Sequence, residues 1–204
     1  MRILRAGDHK RMPWKNGKGE TVEIAVFPED ASVDTFDWRI SMAPVVSDGP
    51  FSVFPGIDRT LSILTGDGMM LSVKGMAPTV LGRKSVPFSF AGDAKTDAVL
   101  QMGPITDLNV MTRRGRFSHR VMRSEQGGEI GFSADAAFVI LVVKGKAQVS
   151  QVELDPLDAV ILDNPVDSHG LRLETQKPCF VIEIFASAVA DLSGSRPRVS
   201  FSRQ

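Results

Sequence analysis

The sequence predicts an all-β protein of two packed β units, each a small barrel or sandwich, with very little helix. Three observations carry that expectation. Short apolar runs punctuated by Gly, Pro, Asn and Asp recur along the whole chain, the grammar of small β-barrels and sandwiches. Helical periodicity is scarce throughout. The order of elements also occurs twice: LTGDGMML…VPFSFAGD and VVKGKAQV…LDAVILDN each read as apolar strand, Gly turn, strand, then an apolar run closed by Asp. A chain of 204 residues can bury a core as one large domain or as two smaller ones. The division is placed near residue 115, giving a first unit over 1–115, a second over 116–190 and a Ser/Arg-rich tail over 191–204.

Taken in order, Ile3 and Leu4 begin an apolar strand, and Arg5 to Lys10 leave it for solvent. Asn16-Gly17-Lys18-Gly19 is a Gly-rich loop, in which glycine permits positive φ or close approach of the backbone to a ligand. An ordinary hairpin turn is the plainer alternative. It is not a P-loop, because the Gly-Lys-Ser/Thr ending and the following helix are missing. From Thr21 to Phe27 the residues alternate, with Thr21, Glu23 and Ala25 on one face and Val22, Ile24 and Val26 on the other. FDWRISMA (36–43) does the same, setting Trp38, Ile40 and Met42 against Arg39, Ser41 and Ala43. The polar faces of these two strands either line a cavity, with Glu23 and Arg39 as the charges inside it, or face bulk water.

The stretch DGPFSVFPGIDRTLSILTGDG (48–68) reads as turn, short run, break, strand and turn. It leaves Asp58 and Arg59 beside the Pro55-Gly56 break, where a barrel mouth would lie. Further short runs follow to Met102. DLNVMTRRG (107–115) then sets Asp107, Asn109, Met111 and Arg113 against Leu108, Val110 and Thr112. In the second half, 137–143 is a buried-looking strand, 148–154 an alternating one, and 158–162 apolar again.

Lys plus Arg equals Asp plus Glu, 24 each, so the basic excess that advertises a nucleic-acid partner is missing, and none is expected. No apolar run approaches the roughly 20 residues of a membrane span, and the N-terminus lacks a signal-peptide pattern. The expectation is a cytoplasmic protein with no membrane partner. Cys179 is alone, within an apolar run, and reads as a buried structural thiol. His9, His119 and His169 are isolated in sequence and show no ligand spacing, so each reads as a surface or capping histidine, and no metal or other cofactor is expected. No nucleophile elbow is present, and Glu20 and Glu23 fall on opposite strand faces, a poor fit to paired-carboxylate catalysis. What remains suits a small polar or anionic ligand. Arg39, Arg59 and Arg113 offer bidentate donors, Asn16 and Asn109 offer amides, and Trp14 a flat apolar wall. The plainer alternative makes each arginine a surface charge.

The segments PWKNGKGETVEI, FDWRISMA, DGPFSVFPGIDR, PFSF and DLNVMTRRG, in that order, resemble the HutD/Ves family over roughly residues 13–113. The LRL after His169 fits that family's C-terminal half. The resemblance implies a bicupin-like fold, with two jelly-roll-type units in one body. It also implies a cytoplasmic bacterial protein tied, in the HutD branch, to histidine utilisation, binding or modulating through intermediates such as urocanate or formylated glutamate; the alternative it leaves is a Ves-like protein of unassigned activity. The ligand-binding positions it implies are Trp14, Asn16, Thr21 and Glu23 from the first motif, and Arg39 and Ser41 from the second. Phe51, Phe54 and Arg59 come from the third, and Asn109, Met111 and Arg113 from the last. Lys18 departs from the family's run of glycines. The cupin label alone would suggest metal chemistry, but the metal-binding histidine motif is missing.

The leading expectation is therefore a metal-free binding protein for a small carboxylated metabolite, a possible homodimer, with no catalytic residue assigned. Glu23 would partner an arginine or accept a ligand N–H, and Trp14 and Phe54 would form the walls. Two alternatives stand beside it: an isomerase or hydrolase using Glu23 as base with arginine electrostatics, and an interaction protein that associates through paired β edges.

Overall fold

In the computed structural model, the structure describes residues 1–13, 20–163, 165 and 171–187. These residues form nineteen strands and one short 3-10 turn, Ala6–Asp8, with no α-helix among them. The chain is all-β, and every strand pairing is antiparallel.

Four sheets carry the fold. Sheet I runs β2 (Lys10–Pro13), β3 (Glu20–Phe27), β4 (Trp38–Val45), β11 (Ile105–Arg113), β6 (Ile57–Thr65), β9 (Phe88–Ala91). Sheet II runs β5 (Gly49–Pro50), β10 (Thr96–Leu100), β7 (Met69–Val73), β8 (Thr79–Leu81). Sheet III runs β1 (Arg2–Leu4), β17 (Ala159–Asp163), β14 (Phe138–Val143), β19 (Cys179–Ala186), β12 (Phe117–Ser124). Sheet IV runs β13 (Gly128–Ile130), β18 (Leu171–Thr175), β15 (Ala147–Val149), β16 (Val152–Leu154).

The strand orders repeat. Adding eight to each number in β4-β11-β6-β9 and β5-β10-β7-β8 gives β12-β19-β14-β17 and β13-β18-β15-β16, the order found in sheets III and IV. The N-terminal strands lie outside this repeat: β2 and β3 extend sheet I, while β1 pairs with β17 at the edge of sheet III. The first dozen residues thus bridge both halves. Asp158 fixes them there, accepting from Ala6 N (2.7 Å) and from Arg5 Nη1 (2.7 Å).

Three apolar clusters set the layers. Leu61, Ile63 and Ile105 of sheet I pack on Met69, Leu71 and Val73 of sheet II. Val139, Leu141 and Val181 of sheet III pack on Val149, Leu154 and Leu173 of sheet IV. The outer face of sheet I, with Trp38, Ile40, Leu108 and Val110, packs on Phe138, Ile140, Ile161 and Ile182 of sheet III. Sheets I and III therefore bury apolar side chains on both faces, and burial of this kind is the main stabilising term in the fold.

Two details differ from the sequence reading. The alternation over 21–27 is broken by a bulge between Glu23 and Ala25: Glu23 pairs with Ser41, but Ala25 pairs with Ile40 and Val26 with Arg39. Beyond the bulge the faces exchange, as one extra residue requires. Ala25 and Phe27 join the core between the halves, while Val26 turns to the other side. The alternating run 148–154 is not one strand but the hairpin β15–β16, turning at Ser150 (φ 47°) and Gln151 (φ 70°). Two left-handed residues without glycine gave no turn signal. By contrast, the Gly66–Gly68 turn was legible, and its reason is tight: a Cβ on Gly66 would sit 2.5 Å from the Pro104 carbonyl oxygen.

Candidate functional site

Between sheets I and II the interior is apolar only at the β6–β7–β10 end. Towards β3 and β4 the inner face of sheet I is polar, because strand pairing lines up Glu23, Ser41 and Asn109 in one row and Arg39, Met111 and Arg59 in the next. A cavity of about 820 Å³ opens over this face, within the range of small-molecule sites. Its opposite wall is the segment from Val45 to Phe54. Main-chain bonds hold that segment in place: Phe51 N donates to Thr96 O (2.9 Å) and Phe54 N to Gly92 O (2.8 Å). The short run over 51–54 is therefore an irregular wall and not a strand.

Both cavity arginines are more than nine-tenths buried, Arg39 at 6% and Arg59 at 5% exposure. Arg39 Nε donates to Glu23 Oε2 at 2.6 Å. Arg59 Nε donates to Asn109 Oδ1 at 2.8 Å, its Nη2 shares that oxygen, and Asn109 Nδ2 donates to Asp107 Oδ1 at 2.7 Å. The Arg59 guanidinium lies 4.6 Å from the Phe51 ring centroid, a cation–π contact that also covers it from water. Among the described residues, both terminal nitrogens of Arg39 and Nη1 of Arg59 have no hydrogen-bond partner. These nitrogens belong to buried side chains that line the cavity, and guanidinium donors so placed suit an acceptor on a ligand.

The electrostatics follow from burial. Desolvation lowers the Arg59 pKa to about 10, with Asp107 opposing the shift and Arg39 adding to it. Desolvation raises the Asp107 pKa to about 6 against the pull of Arg59, the Asn109 amide and the Ala43 main chain. Asp107 is fully buried, and its Oδ2 has no hydrogen-bond partner.

Thr21, Arg39, Ser41, Phe51, Phe54, Arg59, Asn109 and Met111 come together around this cavity. Trp14 and Asn16, like Lys18 and His169, lie outside the described residues. Glu23 serves as partner to Arg39 and faces a smaller neighbouring cavity of about 260 Å³ at the seam between the halves, beside His9, Trp38 and Phe138. Arg113 does not reach the site. It lies past a plug of Phe36, Ile57 and Met111 and donates to the carbonyls of Phe36 (2.9 Å) and Asp34 (3.0 Å). Asp58, next to Arg59, points the other way to Arg114 (2.8 Å). The residue not carried into the site by sequence reasoning is Asp107. Its signal was present, since it shares the alternating face of Asn109 and Met111.

The histidines are less superficial than expected. His9 is buried, which lowers its pKa. His119 is clasped between Thr60 Oγ1 and Thr112 Oγ1, both at 2.7 Å, and burial lowers its pKa to about 4. This neutral imidazole ties β12 of sheet III to the outer face of sheet I. Among the described residues no three His, Cys, Asp or Glu side chains gather as a metal site. A cavity walled by two buried arginines is also a poor host for a cation. Nor is any helix there long and apolar enough to cross a membrane.

Comparison with known proteins fits this architecture. The HutD family model matches residues 6–182. The chain belongs to the HutD family. It is 33% identical over 182 residues to an uncharacterized 21.2 kDa protein in the hutC 3′ region of Pseudomonas putida, covering 85% of this chain and 93% of that one. It is 41% identical to protein Ves of Citrobacter koseri over 119 residues, which span 56% of this chain and 60% of that protein's length. HutD from Pseudomonas fluorescens SBW25, a structure obtained in a formate condition, superposes with a TM-score of 0.80 at 29% identity, covering 92% of this chain and 99% of that one. More distant likeness shows the fold alone. A cupin 2 conserved barrel domain protein from Leptotrichia buccalis reaches a TM-score of 0.50 at 9% identity, covering 87% and 96% of the two chains. The fold is cupin-like.

Proposed function

We propose that this chain is a small-molecule binding protein of bicupin-like build whose larger cavity holds a carboxylated metabolite, in the service of histidine utilisation. The observation that carries the reading is the pair of buried arginines with unspent terminal nitrogens facing one cavity. A carboxylate satisfies such donors in the bidentate geometry a guanidinium favours, and desolvation makes each bond stronger than it would be in water. Ser41 and Thr21 add hydroxyls at the same wall, and Phe51, Phe54 and Met111 supply apolar surface for the rest of the molecule. The family name ties the reading to histidine utilisation, where urocanate and formylglutamate are the carboxylates to try first. Glu23 is held by Arg39, which makes it a positioning partner of that arginine.

Thermal melting in the presence of urocanate, formylglutamate, formiminoglutamate and histidine tests the reading. A ligand at a hundred times its Kd adds about 2.7 kcal/mol, roughly 5–10 °C for a chain of this size. A shift with one carboxylate and not its neighbours is the expected result. Unchanged melting with all four removes the histidine-utilisation assignment.

A further inference from the structure

We infer that anion binding in the larger cavity is coupled to uptake of one proton by Asp107, so that the site takes in an anion and a proton together. The inference rests on the binding function proposed above and adds its regulation. Its basis is the hydrogen-bonded run from Arg59 through Asn109 to Asp107. Asn109 is fixed at both ends, its Oδ1 receiving from Arg59 Nε and its Nδ2 giving to Asp107 Oδ1 at 2.7 Å. That leaves Asp107 Oδ2 buried with no hydrogen-bond partner, although the Ala43 main chain favours the carboxylate. A carboxylate in that state leans on Arg59 for its countercharge.

The groups facing Asp107 are few. Arg59 comes from β6 and Arg39 from β4, Glu23 from β3 is taken up by Arg39, and Asp48 lies on the opposite wall of the cavity. Among these, Arg59 is the cation that offsets the Asp107 charge, while Arg39 stands beside Arg59 with Glu23 as its own partner. An anion that takes the free nitrogens of both arginines brings a negative charge into the same desolvated space. The two anions then compete for Arg59, and the fixed one responds by binding a proton. The step balances simply: the carboxylate enters from solvent, a proton from water or buffer adds to Oδ2, and no other bond changes. Burial already holds Asp107 near half-protonation at mildly acidic pH. The added anion moves that midpoint upward.

Linkage fixes the sign. The ligand favours the protonated carboxyl, so affinity is greatest below the free-state midpoint. It weakens by about tenfold per pH unit above roughly pH 6, until the bound-state midpoint is passed.

Titration calorimetry with formate and with N-acetylglycine, between pH 5.5 and 8, tests this, since both probes stay ionised above about pH 5. Two buffers of different ionisation enthalpy at each pH report the protons taken up. The expected result is a Kd that rises about tenfold per unit above pH 6, with uptake approaching one proton per anion. In Asp107→Asn the affinity is expected to be flat with pH. Measurable binding with no pH slope and no proton uptake overturns the coupling and leaves the binding function standing. A slope that persists in Asp107→Asn also overturns the assignment to Asp107. Should that variant not fold, the two-buffer proton count on the unmodified protein decides. No binding of either probe at any pH removes the binding function and this coupling together.

Discussion

The third and fifth residues of β11 are Asp107 and Asn109; the third and fifth of β19, its counterpart in the other half, are Val181 and Glu183. In the first half these positions carry a buried carboxyl and the amide that joins it to Arg59, and a cavity lies above them. In the second half Val181 packs into a buried apolar cluster with Val139, Leu141 and Leu173. Glu183 is equally buried, but Ser133 N satisfies one of its oxygens at 2.7 Å and Arg120 the other. The same strand order thus encloses a buried apolar cluster in one half and a polar cavity in the other. The difference teaches where function is stored. A hollow with charged walls is costly to keep, and the apolar packing of the second half and of the seam between the halves supplies the stability that offsets it.

The sharpest way to break this comparison is to move the carboxyl. Val181→Asp places an acid at the matching position, within the apolar cluster of Val139, Leu141, Val149 and Leu173. A loss of more than about 4 kcal/mol is expected, because an unpaired charge in an apolar interior is among the costliest substitutions. Chemical denaturation followed by circular dichroism measures it. A variant within about 1 kcal/mol of the parent would show that the second interior admits water.

Arg59→Ala acts on the hollow half. More than a tenfold loss of carboxylate affinity is expected, since truncating one side of a desolvated charge pair costs about 2–5 kcal/mol of binding. Calorimetry with the ligand found by melting reports it, and an unchanged Kd would take Arg59 out of the site.

A smaller effect, of opposite sign, is expected from Asp107→Asn. Burial raises the Asp107 pKa to about 6, so the unmodified protein keeps its full stability below about pH 4 and loses part of it as the pH rises through 6. Above that pH the amide variant, which keeps an acceptor for Asn109, should be more stable by about 1–3 kcal/mol, and the two should converge at pH 4. Melting curves at pH 4, 6 and 7.5 distinguish this from a variant that is uniformly weaker.

The smallest effect belongs to the second half. Cys179 is buried and its thiol is pushed up to about 11, so native protein should resist thiol-specific labelling at pH 8 and react only on unfolding. Rapid labelling of the native state would mean that the second interior opens locally.

Much of this was legible beforehand. Gly and Pro punctuation and period-two alternation placed β3, β4, β6, β11 and β14 within a residue or two of their positions, because a pleated strand half-covered by a core must alternate. The same parity separated Arg39 and Ser41 from Trp38 and Ile40. It misassigned Ala25 and Val26, where the bulge after Glu23 adds a residue, and it ran β15 and β16 together, where Ser150 and Gln151 turn without glycine.

By itself, then, the sequence determined the strands, the two-fold recurrence of their order, and which side chains share a face. Tertiary structure decided what lies opposite each face. Asp107, Asn109, Met111 and Arg113 share one side of β11, yet Asn109 joins a cavity network while Arg113, two residues beyond Met111, braces the Asp34–Phe36 loop behind an apolar plug. Alternation is a property of one strand. Whether a polar row meets water, a hollow or a countercharge depends on residues fifty or more positions away, such as Arg59 across from Met111, and only packing brings those together.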